Sequence, residues 1–494
     1  MLSGHNTFSA DSERTKRMNL KPYLLIVIAG LLLSPAMAQF SNDLEIDFQG
    51  AGWYQFGSIM RVSDTITGNA NYAGNWIQNY GALFNGIISF NKELQGSFGI
   101  GGIKGHTARG SLGTQDGLRY FQTTFVNMAR ITYTLGGEEY SSPLQITSGL
   151  FSYKYDNNIR NLGLYLIRGS VYPQIVISEF ESKEMLPIGN LLGVHMRNRF
   201  SSFTQDVLLV SEIDLKPRYD YSLIYIANLE VGHFLEIGAG VNFYHLLPTR
   251  PSLTKPSDKG ELGADWDETE STYDHELDRQ FALDLDTAII PLAQRSIPND
   301  SLSIHREWYS TAGTKVMVRF AFDPKPFFST DILGANDFKI YGEMAVLGVK
   351  NYKKIYNKIS ERIPVMLGIN LPGFKILDDF TFEVEYFGNK HIPDMGKLMD
   401  YGSPIARSPY WQRGDIYLED GTIVKPEPYD VDKDNWKWSL YLAKVISGHV
   451  KISGQVASDH FRVGMGAPYP WSTYGETFSS WKDWYWMLKS TFFF

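Results

Sequence analysis

Apolar and polar residues alternate with a period of two along most of the chain after residue 43. Leu44, Ile46 and Phe48 are interleaved with Glu45, Asp47 and Gln49, and Phe125, Ala129, Ile131 and Tyr133 lie opposite Thr124, Arg130, Thr132 and Thr134. The pattern continues through Ile363, Val365, Leu367 and Ile369, then Phe380, Phe382, Val384 and Tyr386 against Thr381, Glu383 and Glu385, then Trp436, Trp438, Leu440 and Leu442. It closes with Trp484, Trp486, Leu488, Phe492 and Phe494 against Asp483, Tyr485, Lys489 and Thr491. Successive side chains of a strand point to opposite faces, so each segment predicts a strand with one apolar and one polar face. Strands are predicted to begin near residues 44, 79, 95, 121, 144, 189, 204, 219, 233, 308, 338, 362, 380, 436, 449 and 484. That makes about 16, within roughly 14 to 18.

The N-terminus reads differently. Arg14, Lys16, Arg17 and Lys21 precede an apolar run from Tyr23 to Leu33, and Ala36-Met37-Ala38 has the small-x-small pattern of a cleavage site. Residues 1–38 are expected to be a signal peptide removed before Gln39, with Met18 as a candidate true start. The run is shorter than the ~20 residues that cross a bilayer as a helix, and no other apolar stretch of its length follows. If the mature chain lies in a membrane, every backbone N–H and C=O must be bonded between strands, which requires a closed sheet. The expected fold is all-β: residues 39–494 form a single transmembrane antiparallel up-and-down β-barrel, with Trp and Tyr at strand ends suited to the interface.

Loop lengths support that topology. The turns on one side, including 91–94, 136–143, 201–203, 230–232 and 447–448, are mostly short. The loops on the other side, about 58–78, 104–120, 154–188, 215–218, 245–307, 349–361, 389–435 and 460–483, are mostly long. Outer-membrane barrels have short periplasmic turns and long outer loops. The fourth outer loop is the exception and weakens the register between residues 200 and 232.

Composition narrows the chemistry. The 494 residues include 14% aromatics, 45 glycines and no cysteine, which removes disulfides, thiolate nucleophiles and Cys-ligated metals. The formal net charge of -8, from 46 basic and 54 acidic residues, offers no basic excess for a phosphate backbone, so no nucleic-acid partner is expected. There is no G-x-S-x-G elbow and no H-E-x-x-H, and His195 near Ser201 and Ser202 is a weak basis for a hydrolase. No enzyme, cofactor or metal is expected. The acidic stretch 258–286 lacks the glycine and spacing of a calcium loop and reads as a solvated outer loop.

The last strand, ending in Phe492-Phe493-Phe494, resembles the C-terminal signature of Gram-negative outer-membrane barrels, in which a terminal aromatic is recognised by the barrel-assembly machinery. Phe494, Phe492 and Trp486 carry that signature here. The mature chain as a whole resembles a porin-like family of outer-membrane proteins without an established substrate. The supporting segments are Asn161 to Arg168, Asp434 to Ser439 and Gln455 to His460. The resemblance implies a barrel in the bacterial outer membrane, among lipid and lipopolysaccharide, and leaves a homo-oligomer open.

The favoured expectation is a channel for passive diffusion of small hydrophilic solutes. Two alternatives remain: a non-conducting barrel that binds a surface partner or polysaccharide through its loops, and, more remotely, an outer-membrane hydrolase. Within the third outer loop, Leu162, Tyr165 and Leu166 are spaced like one helical face. By analogy with general porins this loop is a candidate constriction, with Asp156, Arg160 and Arg168 toward the solute path. The alternation also points Arg130, His195, Arg197, Arg199, Lys315, Arg319, Lys339, Arg362, Lys437 and Lys451 into the lumen, together with Asp206, Glu212, Asp214, Glu343, Glu383 and Glu385. With both signs present, strand parity alone supports no strong ion selectivity.

Overall fold

The computed structural model describes residues 44–63, 73–74, 76–108, 118–136, 143–153, 159–162, 165–167, 190–212, 220–247, 313–327, 332–349, 358–387, 416–417, 423–424, 435–459, 461, 478 and 480–494. Sixteen strands close into one antiparallel barrel. They are β1 (Glu45–Arg61), β2 (Trp76–Ser89), β3 (Leu94–Ala108), β4 (Leu118–Thr134), β5 (Leu144–Ser152), β6 (Asn190–Phe200), β7 (Phe203–Glu212) and β8 (Tyr221–Val231). Then come β9 (Leu235–Leu247), β10 (Gly313–Phe322), β11 (Ile340–Val346), β12 (Pro364–Asn370) and β13 (Asp379–Phe387), and finally β16 (Trp436–Ile446), β17 (Val450–Ser458) and β18 (Trp484–Phe493). A separate two-residue ladder, β14 (Ile416–Tyr417) with β15 (Ile423–Val424), belongs to the connection between β13 and β16. The widest departure from the predicted strand starts is at β10, expected near 308 and found at Gly313.

Each barrel strand pairs with its sequence neighbours, and β1 pairs with β18 to close the ring. Gly52 faces Phe492 on one side and Ala82 on the other. At the seam the Gly50 N–H donates to the Phe494 carbonyl at 2.7 Å, and Phe494 returns the bond at 3.0 Å. The pairing through β6, β7 and β8 is continuous, so the weak register expected between residues 200 and 232 is resolved by the ladder.

Tight turns at one end follow from local chemistry. Phe200 and Phe203 pair across only Ser201 and Ser202, with Ser201 at φ 51°, the left-handed twist that a two-residue hairpin requires. Gly448, at φ 72°, takes the same region between β16 and β17 without a Cβ penalty. The Asn91 side chain accepts the N–H groups of Glu93 and Leu94 at 2.8 and 2.7 Å, an Asx turn. Asp337 ties two neighbouring turns together by accepting from Gly334, Gly373 and Phe374.

The lipid-side face is apolar around most of the ring: Phe48, Val194, Leu209, Ile237, Val318, Leu367, Phe382 and Leu488 are exposed, and the strand neighbours of Leu209, Val318, Leu367, Phe382 and Leu488 are buried. Aromatics gather at both ends of this band, with Phe56, Trp76 and Trp486 in mutual contact at the loop end and Phe234, Phe322 and Phe327 at the turn end. One expected face is corrected. Phe125 does not join Ala129, Ile131 and Tyr133 toward lipid but packs inward on Trp53 and Ile103. The β3–β4 register skips at Asn127, since Gly99 faces Met128 and Ile100 faces Val126. One extra residue inverts the parity beyond it.

Candidate functional site

The interior is organised by part of the connection between β5 and β6. Residues 159–162 and 165–167 lie inside the barrel, where Ile159, Leu162, Tyr165, Leu166 and Ile167 are buried against Leu208, Val210, Ile224, Ile226, Met317, Tyr341, Ala345 and Met366. The spacing of Leu162, Tyr165 and Leu166 marks this buried side, but the described residues form turns, not a helix. Gly240 leaves room for the Leu166 side chain, which a Cβ there would crowd at 2.6 Å.

Because the segment is buried without a regular ladder, its polar groups need partners from the wall. Arg160 donates to Ser439 at 3.3 Å and to Gln455 at 3.0 Å, and its guanidinium lies 4.2 Å from the centre of the Tyr441 ring. Asn161 donates to Glu383, which also accepts from the Tyr341 hydroxyl at 2.7 Å and sits 3.8 Å from Arg160. The Tyr165 N–H donates to Glu343 at 3.0 Å, and Asn242 donates to the Leu166 carbonyl at 3.0 Å. The segment therefore runs along the inner wall from β16 and β17 past β13 and β11 to β9. Burial first, then the neighbouring Glu385 and Glu343, raise the Tyr165 hydroxyl well above its ordinary pKa.

The opposite side of the lumen holds open space. A cavity of about 620 Å³ at the short-turn end is lined by polar groups of β2 to β5, among them Gln95, Arg130, Thr132, Gln145 and Thr147. Above it, at the loop end, two described residues of the last connection, Phe461 and Phe478, are also buried. Phe461 and Phe478 stack with Tyr485, whose hydroxyl donates to Asp459 at 2.9 Å. Gln455 donates to the same Asp459 at 3.2 Å while accepting from Arg160, which links this cluster to the β5–β6 segment.

The other anticipated residues occupy several separate settings. Asp206 is fully buried and accepts from His195 at 2.7 Å, Arg197 at 2.8 Å and Tyr153 at 2.9 Å. His195 thus bonds to a carboxylate, and Ser201 and Ser202 sit apart from it in the β6–β7 turn. Arg199 lies 3.8 Å from Glu230 near the turn end. Arg319 is buried and donates to Asn228 at 2.7 and 3.2 Å. Glu385 is buried on the loop-facing side of β13 beside Glu383. Phe492 and Phe494 are exposed on the outer surface at the seam. Asp156, Arg168 and the acidic stretch 258–286 lie outside the described residues.

Asn161, Tyr441, Gln455 and Asn242 were not anticipated as functional residues. They are neutral, and the only signal for those in strands is inward parity, which many residues share.

A closed even-numbered sheet with an apolar outer band, an interior that carries most of the strands' polar side chains, short turns at one end and long loops at the other is satisfied in a bilayer. The chain is a transmembrane β-barrel of the outer-membrane type. Among the described residues no helix is long and apolar enough to cross a membrane, so the strands make the crossing.

No family profile and no curated protein matches the sequence. Among solved structures, the barrel is similar to Pseudomonas putida OprB in its low-pH structure, with 9% identity, 99% of this chain and 100% of that chain covered, and a TM-score of 0.40. It is also similar to mutants of Rh. blastica porin, at 9 to 10% identity with 91% of this chain and 100% of those chains covered and TM-scores of 0.38 to 0.39.

Proposed function

We propose that the barrel is an outer-membrane channel for passive diffusion of small hydrophilic solutes, narrowed by the β5–β6 loop. The observation that supports this most directly is the unequal filling of the lumen. Residues 159–162 and 165–167 hold to the β7–β17 side, while polar groups of β2 to β5 line open space on the other. Arg130, Arg160, Arg197, Arg199, Arg319, Glu383 and Glu385 are the candidate lining and support residues of the path. In this reading a leader ending at Ala38 exports the chain, Phe494 and its strand engage the assembly machinery, and lipid with lipopolysaccharide surrounds the apolar band. No catalysis is part of it.

Planar-bilayer recording of the refolded mature chain tests the reading. Stable open steps that enlarge when residues 159 to 167 are replaced by glycine and serine are the expected outcome. Folded protein that leaves the bilayer closed would reject it.

One observation favours a second reading, a non-conducting barrel that works through its outer loops. Lys315, Lys437, Tyr441, Tyr485 and Lys489 point inward from their strands and are buried, so much of the upper and middle lumen is filled. That reading predicts loop-dependent binding of a surface partner or polysaccharide with no conductance.

A further inference from the structure

The connections at the short-turn end are not alike. Those between β6 and β7, β8 and β9, and β16 and β17 are tipped by Ser201-Ser202, Gly232-His233 and Ser447-Gly448, all small or polar residues. The neighbouring β10–β11 and β12–β13 turns, residues 323–339 and 371–378, are longer and carry the exposed apolar side chains of Phe327, Ile332, Phe374 and Ile376. Ile376 keeps 74% of its surface, more than any other large apolar residue among the described ones. Both turns are braced. Asp337 on the first accepts from Gly334 on its own turn and from Gly373 and Phe374 on the second, at 2.8, 3.0 and 3.2 Å. Asn336 donates to Asp379 at 3.0 Å, and the Lys325 ammonium closes the first turn on the carbonyls of Ala335 and Asp337 at 2.9 and 2.7 Å. Phe374 and Lys375 hold φ of 51° and 61°, a left-handed conformation that costs a residue with a Cβ and persists only where the surroundings impose it.

Both turns also continue the lipid-side face. Phe327 stacks on Phe322, the last outward residue of β10, with ring centres 6.4 Å apart, and meets Phe234 at 4.9 Å. Lys444 shares the outward parity of the exposed Leu442 and Ile446 on β16, and it donates to the Lys375 carbonyl at 2.9 Å, which ties the second turn to the outer rim. The strands between these contacts are short: β11 and β12 have seven residues each, where a tilted strand needs about 9–11 to cross a bilayer. Apolar surface on this side has to extend past the strand ends, and the two turns stand there. We infer that the β10–β11 and β12–β13 turns form a lipid-docking platform, with Phe327, Phe374 and Ile376 inserted among the glycerol and upper acyl groups of inner-leaflet phospholipid. The platform holds the shortest strands of the barrel at their depth. Its occupant is lipid and not a soluble partner, because the patch is continuous with the band that lipid already covers. Charge does not drive the contact: the described residues of the two turns carry Lys325, Lys339 and Lys375 against Asp323, Asp337 and Asp378. The inference goes beyond the channel reading and does not depend on it.

Because the chain has no cysteine, a single introduced thiol reports one position. Ile376→Cys, Phe327→Cys and, in a polar turn, Ser202→Cys would each be tagged with an environment-sensitive fluorophore. The mature chain is then refolded into phosphatidylcholine vesicles with iodide on both sides. All three positions are surface side chains in turns, so the barrel is expected to form, and migration as the compact form on an unheated gel checks it. Labels at positions 376 and 327 should be quenched several-fold more than the label at 202 by a lipid carrying a nitroxide near its headgroup, and several-fold less by iodide. The same result is expected in vesicles containing phosphatidylglycerol, since the turns carry no net charge. Iodide access at either position equal to that at 202, in folded protein, overturns the platform and leaves the patch to a water-soluble partner. Lipid quenching seen only in the anionic vesicles overturns it as well, by assigning the contact to charge. None of these readouts requires conductance, so the platform and the channel reading fail separately.

Discussion

Asp206 shows how a single residue can carry a wall. Three side chains from β6 and the end of β5 donate to its two oxygens inside the barrel. Its removal leaves buried donors and a guanidinium without a counter-charge. Asp206→Ala is expected to cost about 3–5 kcal/mol, read as a lower urea midpoint of the barrel in lipid vesicles, and a midpoint within error of wild type would show that the cluster is not structural.

Asp378 makes a weaker claim that pH can test. Partial burial acts against its ionisation, but the Val445 N–H at 2.6 Å and Lys444 at 2.9 Å outweigh it and hold the carboxyl below the usual aspartate range. A lowered folded-state pKa means the contribution is complete above about pH 4 and is lost as pH falls through the lowered value. Asp378→Asn should therefore show a shallower loss of stability below about pH 4, and the difference is small because solvent screens the pair. Identical acid profiles for the two proteins would contradict this. At this scale, the sequence showed that His195, Arg197 and Asp206 all face inward, but not that they meet. Parity says which side a residue faces, whereas partners depend on register between strands.

For whole elements, the β5–β6 segment is held chiefly by apolar burial, with Leu162 enclosed among wall residues of β7 to β12. Leu162→Ala is expected to weaken its docking by about 2–5 kcal/mol. Hydrogen exchange or limited proteolysis should then rise within residues 159 to 167 while the strands stay protected, and unchanged exchange there would mean the polar contacts alone hold the segment. The apolar spacing of Leu162, Tyr165 and Leu166 was legible in the sequence as a buried face. Which wall it meets was not, because Glu343, Glu383 and Gln455 lie 178, 222 and 295 residues from their bonding partners. Phe125 illustrates the same limit within a strand: alternation cannot reveal a bulge, so the residues before Asn127 were placed on the wrong face.

The closed ring depends on one seam. A Cβ on Gly50 would overlap the Phe494 ring, whereas one on Gly52, the next outward position on the same strand, would meet nothing nearer than the Gly81 carbonyl at 3.9 Å. Gly50→Val should therefore displace the exposed Phe494 ring and lower the yield of folded barrel modestly, while Gly52→Val should fold like wild type. The readout is the fraction that migrates as the compact form on an unheated gel after refolding into vesicles, and equal yields would detach Phe494 from closure.

By itself, the sequence determined the strand periodicity, the strand count, the apolar face of nearly every strand and the division into short turns and long loops. Each of these is written in neighbouring residues, since alternation and turn chemistry are local. Only the tertiary structure decided where β1 meets β18, where the β3–β4 register slips and which carboxylates the β5–β6 segment covers. Those outcomes are set when a closed ring brings distant residues within a few ångströms of one another, and no pattern along the chain encodes that distance.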